Sequence, residues 1–209
     1  MTDYATELIE LSSGLSVPAT VRSDLPPQAV LAVEVVWGPL RIEAVLKMIR
    51  EGVRWEDVPE HAHWNWSNKL RGFSPLVHKF MAVECRDETQ GLMRLDLASE
   101  VSRMTADRGK PTVYVDFLES APWNARQFTN QPQFKLSGFR LVEAAVRCSA
   151  EEGFHGRIGL HALPQASGFY EGSCGMKSFG ADSEHEGLTY YELSRDLAAY
   201  YLRGEPWQK

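Results

Sequence analysis

The stretch from Thr112 to Ser194 constrains the fold more than any other part of the chain. Thr112-Val113-Tyr114-Val115-Asp116-Phe117-Leu118 is dense in β-branched and aromatic residues, as a strand within a sheet requires. It runs into Glu119-Ser120-Ala121-Pro122-Trp123-Asn124. After a short loop, Gln133-Phe134-Lys135-Leu136-Ser137-Gly138 leads into a predicted helix over Phe139–Glu152. Leu141, Val142, Ala145 and Val146 share one face of that helix, and Gly153 stands where a C-terminal cap belongs. A strand over Arg157–Leu163 and a helix over Pro164–Gly172, carrying Phe169-Tyr170, come next. Gly175-Met176 follows, and then a strand pair over Lys177–Asp182 and Gly187–Ser194.

The N-terminal half is less patterned. Residues 1–28 hold Ser12, Ser13, Gly14, Pro18, Pro26 and Pro27 and read as an arm or loose first turn ahead of one domain over 29–209. Ala29–Trp37 is an apolar run broken by Glu34 and reads as a buried strand ended by Gly38-Pro39. Leu40–Glu51 places Ile42, Val45, Leu46 and Ile49 at helical spacing, with Gly52 as the stop. Arg54–Phe73 is rich in Trp and His and reads as a less regular helix. Lys79–Cys85 and Gly91–Leu97 form a hairpin about a polar turn at Arg86–Gln90, and Ala98–Lys110 reads as a loop with some helix. Arg195–Arg203 is a last amphipathic helix. The element order gives an α/β fold, a mixed sheet flanked by helices.

Composition excludes some classes. At 209 residues with a formal charge of −6, the chain is long enough for a sizeable core and too acidic to track a nucleic-acid duplex by bulk charge. That balance mildly favours a cationic or neutral substrate such as an amine. Cys85, Cys148 and Cys174 are odd in number and form no Cys-x-x-Cys, so they read as reduced, core-packed thiols of a cytoplasmic protein. No signal-peptide pattern opens the sequence, and no apolar run approaches the ~20 residues of a membrane span. His61-x-His63, with Glu56, Asp57 and Glu60 nearby, could ligate a metal in principle, but no further ligands stand at a recognisable spacing. No Gly-x-Ser-x-Gly, His-Glu-x-x-His or Walker-type loop is present.

The ordered set over 112–194 resembles the GNAT superfamily of acetyl-CoA-dependent N-acetyltransferases. The resemblance implies a mostly antiparallel, twisted central sheet flanked by helices. In that family a Gln/Arg-x-x-Gly-x-Gly/Ala turn presents backbone N–H groups to the coenzyme A pyrophosphate at a helix start, where unpaired donors and the helix dipole favour an anion. Gln133 matches the first position and Gly138 the last. Leu136 stands where the middle Gly would be, a departure that puts close approach and positive φ in question. Phe134, Lys135, Ser137 and Phe139 complete the implied cradle. Phe117, Leu118 and Glu119 fall where the family's strand pairs with the pantetheine arm. Ser120–Asn124 would line the acceptor side, and Trp55, Trp64, Trp66 and Phe73 fall in the region that the family uses as an acceptor-site lid.

Tyr170 matches the tyrosine that protonates the departing thiolate in many members. A phenol of pKa near 10 keeps its proton at neutral pH and can donate it. Glu119 is a candidate base acting through a water, and His161 a second one. Each of the three residues also has a purely structural reading. The implied activity is direct transfer of acetyl from acetyl-CoA to a primary amine, on a small molecule or a protein, with a charged tRNA also open. A binding module that keeps the fold without coenzyme A is the alternative, and a homodimer is allowed.

Overall fold

The computed structural model describes residues 2–203 and is built on one nine-stranded sheet. The elements are β1 (Tyr4–Glu10), β2 (Ser16–Arg22), α1 (Pro27–Arg50), α2 (Trp66–Lys69), β3 (His78–Cys85), β4 (Glu88–Val101) and β5 (Pro111–Ser120). Then come β6 (Phe134–Lys135), α3 (Ser137–Glu151), β7 (Ile158–Ala162), β8 (Lys177–Ala181), β9 (Thr189–Glu192) and α4 (Arg195–Arg203). The strands lie in the order β6-β1-β2-β3-β4-β5-β7-β9-β8, and β5–β7 is the parallel pair.

Strand alternation distributes two cores over the two faces. Met81, Val83, Met93, Leu95, Val113 and Val115 point toward α3 and α4. Phe80, Ala82 and Leu92, one residue out of phase, point toward α1 and α2, where Val30, Val33, Trp37 and Trp66 cover them. The predicted hairpin is present as β3 and β4. Its turn is tighter than read, because Arg86 and Asp87 both take positive φ and β4 begins at Glu88. β4 runs on to Val101, so the first residues of the expected loop are strand.

Two expectations for the N-terminal half are corrected. Residues 1–28 are not a loose arm: β1 and β2 form a hairpin in register from Tyr4↔Val21 to Ile9↔Ser16, turning at Gly14 with φ +72. Pro18 suggested a non-strand, but β3 pairs only with Thr20, Val21 and Arg22. At residue 18 that side of β2 needs no donor. Ala29–Trp37 is not a strand but the first half of α1. Val30, Val33, Glu34, Trp37 and Arg41 are its buried residues, a 3.6-residue period disguised by the two charged members. Pro39 is accommodated inside this helix.

Those charged members anchor α1 to the sheet. The Arg41 guanidinium, 1% exposed, gives Nη2 to both Glu34 oxygens at 2.7 and 2.6 Å and Nη1 to both Glu119 oxygens at 3.1 and 3.3 Å. Glu34 also caps the amide of Trp66 at 2.8 Å, and the Trp66 indole donates to Glu119 at 2.6 Å. One guanidinium thus bridges two buried carboxylates from different elements. Removing it leaves like charges in a dry interior, a loss of about 3–5 kcal/mol by analogy with broken buried pairs. Arg41→Met should lower the unfolding free energy by that amount in urea titrations. The double variant Glu34→Gln/Arg41→Met should recover part of the loss.

Candidate active site

The site begins where β5 leaves β7. The parallel ladder between them holds only Val113↔Ile158 and Tyr114↔Gly159, while β4 stays paired with β5 as far as Ser120. From Val115 onward one edge of β5 therefore has no strand beside it. A β-bulge coincides with this parting: Arg94 pairs with Phe117 and Leu95 with Val115, leaving Asp116 as an extra residue, ion-paired to Arg94. The bulge reverses the alternation. Before it, Val113 and Val115 face α3; after it, Leu118 and Ser120 do, and Phe117 and Glu119 turn toward α1 and α2.

Into the opening projects the start of α3. No side chain caps this helix, so the amides of Ser137, Gly138 and Phe139 have no intrahelical acceptor and open onto the cleft. Leu136, the departure noted in the sequence, adopts φ +80 and ψ −3, the left-handed conformation that the missing Gly would take. The turn is thus kept without the glycine. At Gly138 a Cβ would lie 3.3 Å from the Phe169 ring, so this glycine permits close packing. β6 hydrogen-bonds to β1 through Ile9↔Lys135 and Glu10↔Phe134, and Arg140 Nε donates to the Glu7 carbonyl at 3.1 Å. The N-terminal hairpin is the backing of this turn. Ser120 and Ser137 hydroxyls meet at 3.2 Å across its foot.

The resulting cleft, about 850 Å³, brings together Leu118, Glu119, Phe134, Lys135, Leu136, Ser137, Gly138, Phe139 and Tyr170. Lys135 is exposed and makes no ion pair among the described residues, and Arg126 and Arg140 stand on the same cleft. The far wall carries His61, Trp64, Leu163 and Gln165. Two expected contributors lie outside it. The Phe117 ring sits under the Lys69 ammonium, 3.1 Å from its centroid, in a cluster with Trp64 and Trp66. Burial there pushes Lys69 down to about 7. Gln133 spends its backbone on Leu11 and Trp123.

Tyr170 lies in a π-turn over Phe169–Ser173 that replaces part of the helix expected over Pro164–Gly172; the rest is a 3₁₀ turn over Pro164–Ala166. Its ring is 7% exposed and packs on Phe169 and Tyr191. Its hydroxyl has no hydrogen-bond partner among the described residues, and burial raises its pKa, so it is protonated at neutral pH. Glu119 is pushed up to about 7 by burial, opposed by Arg41 and Trp66. Their three hydrogen bonds leave about one of the carboxylate's roughly four acceptor positions open.

His161 is on the opposite side of β7 from the α3 core. It contacts the Tyr114 hydroxyl at 2.9 Å and Asp182 at 3.1 Å, stacks on His185 and does not line the cleft. His61 is in the cleft wall against Phe128 and Trp64, its pKa lowered to about 4 by burial. It joins no group of three ligands among the described residues. Trp64 lines the cleft, while Trp66 is fully buried. The three cysteines are buried and unbridged. Sequence reasoning missed Arg41, whose place opposite Glu119 spans 78 positions, and Ser120–Ser137. Only an i, i+7 match of Glu34 and Arg41 on one helix face hinted at the former.

No family model and no curated protein matches the chain in sequence. Solved structures do match in fold. One, from Desulfovibrio desulfuricans and assigned to the GNAT family of acetyltransferases, superposes with a TM-score of 0.52 at 15% identity over 85% of this chain and 99% of its own. FeeM, an N-acyl amino acid synthase from uncultured soil microbes, gives 0.52 at 10% identity over 85% and 92%. Among the described residues no helix is long and apolar enough to cross a membrane.

The left-handed cost at Leu136 is testable. A side chain there costs about 1–2 kcal/mol, partly offset by the ~0.5–1 kcal/mol of chain entropy that a glycine loses. Leu136→Gly should therefore leave stability unchanged or raise it by up to about 1 kcal/mol in thermal melts, whereas Leu136→Val should lower it.

Proposed function

We propose that this chain, whose fold is that of the GNAT acetyltransferases, is an N-acetyltransferase moving acetyl from acetyl-CoA to a primary amine. One observation carries the reading: the unpaired edge of β5, the uncapped start of α3 and the protonated Tyr170 converge on a single cleft. Each answers a different part of the donor. The amides of Ser137, Gly138 and Phe139, with Lys135 beside them, suit the pyrophosphate. The open β5 edge suits the amide-bearing pantetheine arm as an added strand. Leu136 gives little support to a module that has lost the cofactor, because its backbone keeps the glycine-like turn.

In this scheme the neutral amine attacks the thioester carbonyl. Negative charge grows on the carbonyl oxygen, where a backbone N–H of the 117–119 segment can donate. The C–S bond breaks as the tetrahedral centre collapses; the thiolate takes the proton of Tyr170, and the proton shed by the new amide nitrogen restores the phenol. Glu119 accepts the ammonium proton through a water at its remaining acceptor position. Its pKa, raised to about 7, lets it take that proton near neutrality and return it to solvent before the next turnover. The cleft wall of Trp64, His61 and Leu163 is the acceptor side.

Tyr170→Phe deletes one hydroxyl and keeps the ring, so acetyl-CoA affinity should hold while kcat falls about 10²–10⁴-fold. Wild-type turnover in this variant, measured with a panel of amines, would remove Tyr170 from the scheme. Gly138→Val should weaken coenzyme A binding in calorimetry, since its Cβ and methyls enter the space beside Phe169. A folded variant with unchanged affinity would move the pyrophosphate elsewhere.

The pH dependence follows from the sign of the Glu119 shift. A raised carboxylate pKa keeps the base protonated, and inactive, to higher pH, so kcat/KM should rise as pH passes through about 7. Glu119→Gln should lower kcat/KM and abolish that rise; an identical profile in the variant would exclude Glu119 as the base.

A further inference from the structure

On the side of β7 away from the α3 core, three side chains outside the cleft turn donor atoms toward one another. His161 comes from β7, and Asp182 and His185 come from the turn that joins β8 to β9. His161 Nε2 lies 3.1 Å and His185 Nδ1 3.6 Å from Asp182 Oδ2. One donor atom from each residue falls within 4.8 Å of the other two. Two nitrogen or oxygen ligands held by a tetrahedral ion at about 2.0–2.1 Å are themselves about 3.3 Å apart, and the two measured separations bracket that edge. The His161 and Asp182 side chains are 2% and 11% exposed. His185 Nδ1 is buried and has no hydrogen-bond partner, since 3.6 Å is beyond hydrogen-bond reach.

We propose that His161, Asp182 and His185 bind one zinc-class divalent cation, which ties the β8–β9 turn to β7. Two imidazoles and a carboxylate suit zinc, whereas magnesium and calcium take oxygen donors. Three protein ligands leave the fourth tetrahedral position to water. The outer contacts match what such a site needs, because a ligating histidine gives its other N–H to an oxygen. His161 Nδ1 meets the Tyr114 hydroxyl of β5 at 2.9 Å, and His185 Nε2 faces Glu100 of β4 at 3.9 Å. Asp182 Oδ1 accepts the Glu184 amide at 3.0 Å, which leaves Oδ2 for the ion. Arg103 is the competing cation, its Nη2 2.6 Å from Asp182 Oδ2. Asp182 and Glu100 against Arg103 still leave one negative charge in excess. The half-exposed Arg103 also lies over the Tyr190 ring, to which it can withdraw. His185 stacks on His161 with ring centroids 3.7 Å apart, so its half-exposed ring must turn for both nitrogen lone pairs to reach the ion. None of the three ligands lines the cleft, so the inference is independent of the catalytic reading.

Calorimetric titration of the full chain with zinc chloride, and in parallel with magnesium chloride, tests it. The expected result is one zinc ion bound per chain with a dissociation constant in the low-micromolar range or tighter, and no binding of magnesium. His185→Ala, on the half-exposed turn, should raise that constant at least 100-fold. Asp182→Asn should do the same and serves as the second variant if the first fails to fold. Tyr114→Phe, which removes an outer contact, should raise it about 10–100-fold. Arg103→Ala, which removes the competing cation, should lower it. His61→Ala/His63→Ala should leave it unchanged. Zinc should also slow amide hydrogen exchange over 182–188 in the wild-type chain and not in His185→Ala. A wild-type chain that binds no zinc, or binds it no more tightly than His185→Ala and Asp182→Asn do, would overturn the site. So would loss of binding in His61→Ala/His63→Ala instead. Zinc bound without added protection over 182–188 would overturn its role as a tie.

Discussion

One extra residue in β5, Asp116, sets the arrangement of the site. Without this bulge Phe117 and Glu119 would face α3, in phase with Val113 and Val115. With it, Leu118 and Ser120 face α3 and the cleft, and Glu119 turns to meet Arg41 from α1. The same point is where β7 departs from β5. A bulged strand bends and twists more strongly, and a parallel neighbour paired at only two positions cannot follow it. The cleft thus results from a local mismatch in residue count, held open on one side by β4 and on the other by the start of α3.

Arg41 then ties the second layer to this geometry. Two carboxylates and one guanidinium in a dry interior are costly to desolvate, and their mutual attraction offsets this only with close, saturated contacts. Here the contacts are nearly saturated, with Trp66 supplying both an amide and an indole donor. The arrangement fixes α1, α2 and the end of β5 relative to one another. Glu119 is therefore positioned by structure and, in the proposed mechanism, used for chemistry through the acceptor position left over.

Much of the C-terminal half was legible in the sequence because its signals are local. The strand at 112–118, the helix after Gly138 and the strand pair from Lys177 rest on composition and periodicity within a dozen residues. The turn before α3 was legible too, although Leu136 obscured it: the backbone adopts the glycine conformation and tolerates the cost. The N-terminal half was misread for a physical reason. Pro18 lies in a strand whose second partner, β3, stops short of it, and Glu34 and Arg41 lie on a buried helix face. Residue-type rules assume that strands lack proline and that buried faces lack charge; the first fails where no neighbouring strand needs the donor, the second where a partner elsewhere in the chain supplies the opposite charge.

The sequence alone determined the β3–β4 hairpin, the strand at 112–118, the neighbourhood in which α3 begins, and that a phenol on the segment after β7 could hold a proton. Those properties reside in side-chain chemistry and spacing. The tertiary structure decided which residues share the cleft. It put Phe117 beneath Lys69 and His161 against Tyr114 and Asp182, both away from it, and it set the β1–β2 hairpin behind the turn that starts α3. It also set the pKa of Glu119, because burial and the Arg41 charge act through space from residues 78 positions apart. Strand register and bulge position come from pairing across the sheet, and no local pattern in β5 encodes on which side of Asp116 the faces exchange.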